Sequence, residues 1–144
     1  MALEVKRKAE LSLVAILSGA LPDLSFYPAK GGDDDGGTSL PQPPFGAIWI
    51  QDAEKTMPNE KTYLLSGTVV WVSRMVQAGL DVTDHSESVR QIYDVLLNTD
   101  PGNDTIHSLM IHGIDIVTVN EFTDDERHAY GDTISFVMGV SETD

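Results

Sequence analysis

The sequence contains no cysteine, which removes disulfides, thiolate zinc sites and cysteine nucleophiles together. It is short of positive charge: nine Lys and Arg stand against 23 Asp and Glu, a net charge of −14. The deficit is uneven. Residues 1–80 hold seven cations and nine acids, whereas residues 81–144 hold two cations and 14 acids, so −12 of the total sits in the second part. A field of that sign repels nucleic-acid phosphates and anionic lipid, which argues against groove binding and membrane-surface binding. Solubility alone would favour the same excess. Long hydrophobic runs are missing too. The opening "MALEVKRKAELSLVAILSGA" has a basic start and a small-residue end, but Glu4 and Glu10 interrupt it and no uncharged run is long enough to span a membrane. There is no Gly-x-Ser-x-Gly, phosphate loop, dinucleotide glycine pattern or His-Glu-x-x-His motif.

What remains is pattern. At 144 residues the chain suits one domain, 1–144, with room for a real core. Leu3, Ala9, Leu13, Ile16 and Leu17 predict an amphipathic helix ended by Gly19, with Pro22 just beyond. "DLSFYP" and "FGAIWIQD" read as strands. Between them, "AKGGDDDGGTSLPQPP" has hardly any apolar side chain to offset its ordering entropy, which predicts a mobile loop near residues 30–44. Asp33, Asp34 and Asp35 do not begin a calcium loop, because the twelfth position is Pro44. In "TYLLSGTVVWVSRM" the residues Tyr63, Leu65, Val69 and Trp71 share one face and Leu64, Val70 and Val72 the other. Two apolar faces predict a central strand covered on each side, by helices or by another subunit. "DHSESVRQIYDVLLN" predicts a helix capped by Asp84 with Glu87 at capping-box spacing. "IHSLMIHGIDIVTVNEF" is strand material with a bulge or bend at Gly113. In "HAYGDTISFVMGV", Ile134, Phe136, Met138 and Val140 alternate with Thr133, Ser135 and Val137. The expected fold class is α+β, a mostly antiparallel sheet packed with two helices.

The acids and histidines were the only source of candidate chemistry. "TDDERH" lies between two strand runs, where a charged hairpin turn is the default. His107 and His112 are an odd number apart, so on a regular strand they face opposite sides. His85, in the first turn of the second helix, reads as exposed. Trp49, Trp71, Tyr63 and Phe136 could line a ligand pocket, but at alternating strand positions they read as core or interface. No catalytic residue, cofactor site or metal site is assigned.

The opening helix, "LPDLSFYP", "PFGAIWIQ", "GTVVWVSR", "DHSESVRQIYDVLL" and the closing "EFTDDERHAYGDTISFVMGV" together resemble the tail terminators, or tail-completion proteins, of long-tailed bacteriophages. The resemblance implies a non-enzymatic virion protein at the head-proximal end of the tail. It would form a homo-oligomeric ring, typically a hexamer, that caps the tail tube, ends its polymerisation and meets head-completion proteins. The physics of the sequence suggests where each contact would fall. Tyr63, Leu65, Val69, Trp71, Thr133, Ser135 and Val137 are candidates for the subunit interface. Asp115, Glu121, Asp124, Asp125 and Asp132 are candidates for an acidic lumen lining that passes DNA without gripping it. Asp33, Asp34 and Asp35 mark a contact loop. Two alternatives stay open: a head–tail connector or other tail-tube component, and, in another class, a small metal-dependent enzyme or ligand-binding domain using His128, Asp124 and Asp132.

Overall fold

The computed structural model describes residues 2–28, 44–56, 61–74, 80–99, 102–104, 109–124 and 129–142. Helix α1 spans Ala2–Ala20 and is followed by strands β1 (Phe26–Pro28), β2 (Phe45–Lys55) and β3 (Thr62–Arg74). Helix α2 spans Leu80–Leu97, and strands β4 (Gly102–Asp104), β5 (Leu109–Asp124) and β6 (Ala129–Glu142) close the order. The six strands form one sheet in the order β1-β2-β3-β6-β5-β4. Only β1 and β2 run parallel; every other pair is antiparallel. The fold is α+β, as the alternation of periods predicts.

One face of this sheet carries the core. Tyr63, Leu65 and Val69 of β3 stand opposite Val140, Met138 and Ile134 of β6, and all six are buried. Helix α1 lays Val5, Ala9, Leu13 and Leu17 into the same cluster, and α2 adds Ile92 and Leu96. The spacing of four in α1 puts one side chain per turn on a single stripe. Each such Leu, fully removed from water, contributes about 1.5–3 kcal/mol relative to exposure. Gly46 lies beneath two aromatic rings on this face: an added Cβ would come within 2.6 Å of Phe26 and 3.1 Å of Trp71. The two rings sit 5.8 Å apart, centroid to centroid. The glycine is what lets β1 dock.

Two elements differ from the sequence reading. Helix α2 begins at Leu80, four residues before the anticipated cap, so Asp84 and Glu87 lie inside it. Its other end is capped by polar side chains, with Asn98 Nδ2 donating to the Asp94 carbonyl and Thr99 Oγ1 to the Val95 carbonyl. Strand β4 carries no apolar side chain and gave no signal of its own. Strand β3 is central, but among the described residues helices cover only one of its faces. The bulge expected near Gly113 is present, at His112, and β5 has a second at Val117. The loop reading of residues 30–44 falls almost wholly on residues outside those described. No helix of the described residues is long and apolar enough to cross a membrane.

Candidate functional site

Three of the buried polar side chains, from β3, α2 and β6, meet one another inside the helix-covered layer. Ser73 Oγ is 2.7 Å from His85 Nδ1, and His85 Nε2 is 2.8 Å from Asp132 Oδ2. The Tyr130 ring stands 4.5 Å from the imidazole. Ser73 is 8% exposed, His85 3% and Asp132 8%. A serine nucleophile needs an opening where a carbonyl can reach it and donors for the resulting oxyanion. This serine points instead into the seam between α2, β3 and β6. The chain of hydrogen bonds satisfies three buried polar groups that would each be costly alone, and it ties α2 to the two central strands.

The sequence reading expected His85 to be exposed, and the structure overturns that. The signal was available: His85, Val89, Ile92 and Leu96 share a helical stripe, and Asp132 continues the alternation of Ile134, Phe136 and Met138. Two opposing pulls act at the other end of the core. Tyr63 Oη donates to Glu142 Oε1 over 3.2 Å, and Lys8 Nζ lies 2.9 Å from Glu142 Oε2. Burial pushes the Glu142 carboxyl up, but the Lys8 hydrogen bond and charge, with the Tyr63 hydrogen bond, hold it below the ordinary range. Burial raises the Tyr63 phenol, and the neighbouring Glu142 carboxylate raises it further.

Among the described residues no helix covers the opposite face of the sheet. Across it run Ala47, Val70 and Thr133 in one row and Trp49, Thr68 and Ser135 in the next, all uncharged. Val72 and Gly131 follow, with the Phe122 ring filling the space a side chain at Gly131 would need. Tyr27, Trp49 and Leu64 are exposed here. Among the described residues charge returns toward both ends of the face, at Asp52, Glu54 and Asp115 toward one and, by register, at Arg74 and Asp124 toward the other.

The predicted interface residues therefore fall on two sides. Thr133, Ser135 and Val137 are half-buried on the open face, where another chain could meet them. Tyr63, Leu65, Val69 and Trp71 are buried beneath the chain's own helices, so no neighbour reaches them in this fold. The acidic set also divides. Asp115 and Glu121 are exposed, on opposite faces of β5, because Asp115 pairs with Val137 and Glu121 with Asp132. Asp132 is interior and held by His85, which withdraws it both from a lumen and from a metal site. Asp124 ends β5 opposite Ala129. Asp33, Asp34, Asp35, His107, Asp125 and His128 lie outside the described residues. His112 is exposed, with Nε2 2.7 Å from Ser141 Oγ, and Ser141 also meets Thr62 at 3.0 Å. Trp71 and Phe136 are core and Trp49 is surface, so the four aromatics do not converge on a pocket.

No protein-family model matches the chain, and no curated protein matches it in sequence. The fold does match. A chain of the solved structure "Virion of native gene transfer agent (GTA) particle" is similar to it with a TM-score of 0.53 and 11% sequence identity, over 97% of this chain and 95% of that one. At that identity the likeness is one of fold. It spans nearly the whole length of both chains.

Proposed function

We propose that this chain is a structural protein of a phage-like virion, and that it acts as a tail terminator. In this reading, copies close into a ring, six in the typical arrangement, that caps the tail tube and presents a surface to head-completion proteins. The observation that carries the proposal is the end-to-end fold likeness to a chain of a gene transfer agent virion. The open sheet face supports it independently. A chain with a charge of −14 repels its own copies wherever carboxylates meet, and the central rows of this face have none. Thr133 and Ser135, with Trp49 and Val70 beside them, form the centre of the proposed contact, and Val137 borders it in the row that holds Asp52 and Asp115. The exposed Asp115 and Glu121, with Asp124 at the end of β5 and Asp125 next in sequence, remain the proposed acidic lining; Asp132 leaves that set. DNA passes as repelled cargo. The reading requires no catalysis.

Native mass spectrometry over a concentration series, with and without tail tubes, tests the ring; a mass of six subunits is expected on the tube. Electron microscopy of particles assembled without the protein tests the role. Tails of unregulated length are expected. Tails of normal length that fail to join heads would transfer the chain to the head–tail connectors.

A further inference from the structure

Among the described residues the outer border of β5 is a long strand edge with no strand beside it for most of its length. Strand β4 pairs only with Leu109, Met110 and Ile111. After the bulge at Val117, the run Thr118–Asp124 keeps unbroken register with β6, from Ser135 to Ala129, and among the described residues no strand flanks it. In an antiparallel pair, every second residue of an edge strand turns its N–H and C=O outward. These seven positions therefore present a ready hydrogen-bonding ladder. Residues 118–123 are all exposed, including Val119 and Phe122. The run "TVNEFTD" has two β-branched threonines, a valine and a phenylalanine, and neither Lys nor Pro to discourage pairing.

The surroundings select the occupant. Strands β4, β5 and β6 together carry Asp104, Asp115, Glu121, Asp124, Asp132 and Glu142 and not one Lys or Arg. A second copy is poorly suited to this edge, because the strands of this chain offer cations only at Lys55 and Arg74. We propose that Thr118–Asp124 accepts an extended, cationic segment of a different protein by strand addition, with main-chain hydrogen bonds supplying the register. Basic side chains of that segment pair with Glu121 and Asp124, and apolar ones cover Val119 or Phe122. The inference goes beyond the ring reading: ring closure through the open face leaves this edge free, whereas a segment paired with Glu121 and Asp124 takes those two carboxylates out of the acidic lining.

The experiment is backbone amide exchange on the full chain, read residue by residue, with three ten-residue peptides as probes. One alternates lysine and valine, one glutamate and valine, and one lysine and proline. The lysine–valine peptide should slow exchange at outward amides within 118–124, and the glutamate–valine peptide should not. The lysine–proline peptide has the same charge but lacks alternate N–H groups, so it should protect little. Glu121→Lys, an exposed change, should weaken lysine–valine binding by about tenfold at low salt. Absence of protection in this run would overturn the proposal. So would equal protection by the lysine–proline peptide, which would reduce the effect to charge alone. Protection that grows with protein concentration without any peptide would assign the edge to a second copy instead.

Discussion

Along the outer border of β2, beyond the three residues paired with β1, helix α1 closes the strand with side chains. Glu10 Oε2 accepts the Ile50 N–H at 3.0 Å, and Lys6 Nζ donates to the Gln51 carbonyl at 3.2 Å. The same stretch is bulged, since the register shifts between Ile50 and Asp52. Glu10 is buried there, and an interior carboxylate is stable only with such donors. Along the outer border of β5 there is no helix side chain doing this work among the described residues, and the bulge at Val117 stops short of Thr118–Asp124. One sheet thus has a sealed border and an unsealed one. Sealing is the usual device against unwanted strand pairing, so its presence on one side and absence on the other teaches which side is free to pair.

The largest expected effect comes from opening the sealed side at its root. Gly46→Val places new atoms where Phe26 and Trp71 already lie, and Phe26 is the residue by which β1 grips β2. The rings must shift and β1 lift, at a cost of about 1–3 kcal/mol, the range for overpacking a core. Urea denaturation should show the lowered midpoint. A variant as stable as the parent, with β1 amides still protected, would mean that β1 does not depend on that stacking and that the sealed border rests on α1 alone.

Much of this comparison was legible in the residues, and the part that was not has a physical reason. The alternation in β3 and β6 sorted the side chains onto two faces correctly, with Leu65 and Val69 together on one face of β3 and Ile134 and Met138 together on one face of β6, because a period of two in a strand leaves little choice. It could not say what covers each face. Tyr63, Leu65, Val69 and Trp71 were therefore all assigned to a neighbour, although they are buried in the chain's own core. Two polar residues hid inside apolar patterns. Asp132 and His85 each continue a buried stripe, but charge in a sequence reads as surface until its partner is seen. The length of α2 was missed because a plausible cap at Asp84 does not by itself end a helix; packing decides. The sealed border was not visible at all. Glu10 and Ile50 are forty positions apart, and only the fold brings them together.

A smaller effect is expected at Glu10 itself. Glu10→Ala leaves the Ile50 N–H without its acceptor and should cost about 1–3 kcal/mol, whereas Glu10→Gln keeps an acceptor oxygen and should cost less. Exchange at the Ile50 amide provides the sharper reading. It should be slow in the parent, approach the rates of the β5 edge in the alanine variant, and stay intermediate with glutamine. If Ile50 exchanges as fast as the outward amides of Thr118–Asp124 in the parent, the two borders are equivalent and the contrast fails.

The smallest effect concerns how firmly α1, the element that seals β2, is held to the rest of the sheet. Lys8 of α1 reaches Glu142 at the end of β6, and Tyr63 of β3 donates to the same carboxylate. Because the folded protein holds Glu142 below the ordinary carboxylate range, it binds this proton less readily than the unfolded chain does. The resulting stabilisation is present above the unfolded value and is lost as pH falls through the folded one. Lys8 and Glu142 are partly buried, and the pair should contribute on the order of 1 kcal/mol. Glu142→Gln should therefore flatten the fall in stability from about pH 5 downward while changing the neutral-pH midpoint little. A parallel acid profile in parent and variant would show that this pair does not anchor α1, leaving Glu10 and the apolar stripe from Val5 to Leu17 to keep the β2 border shut.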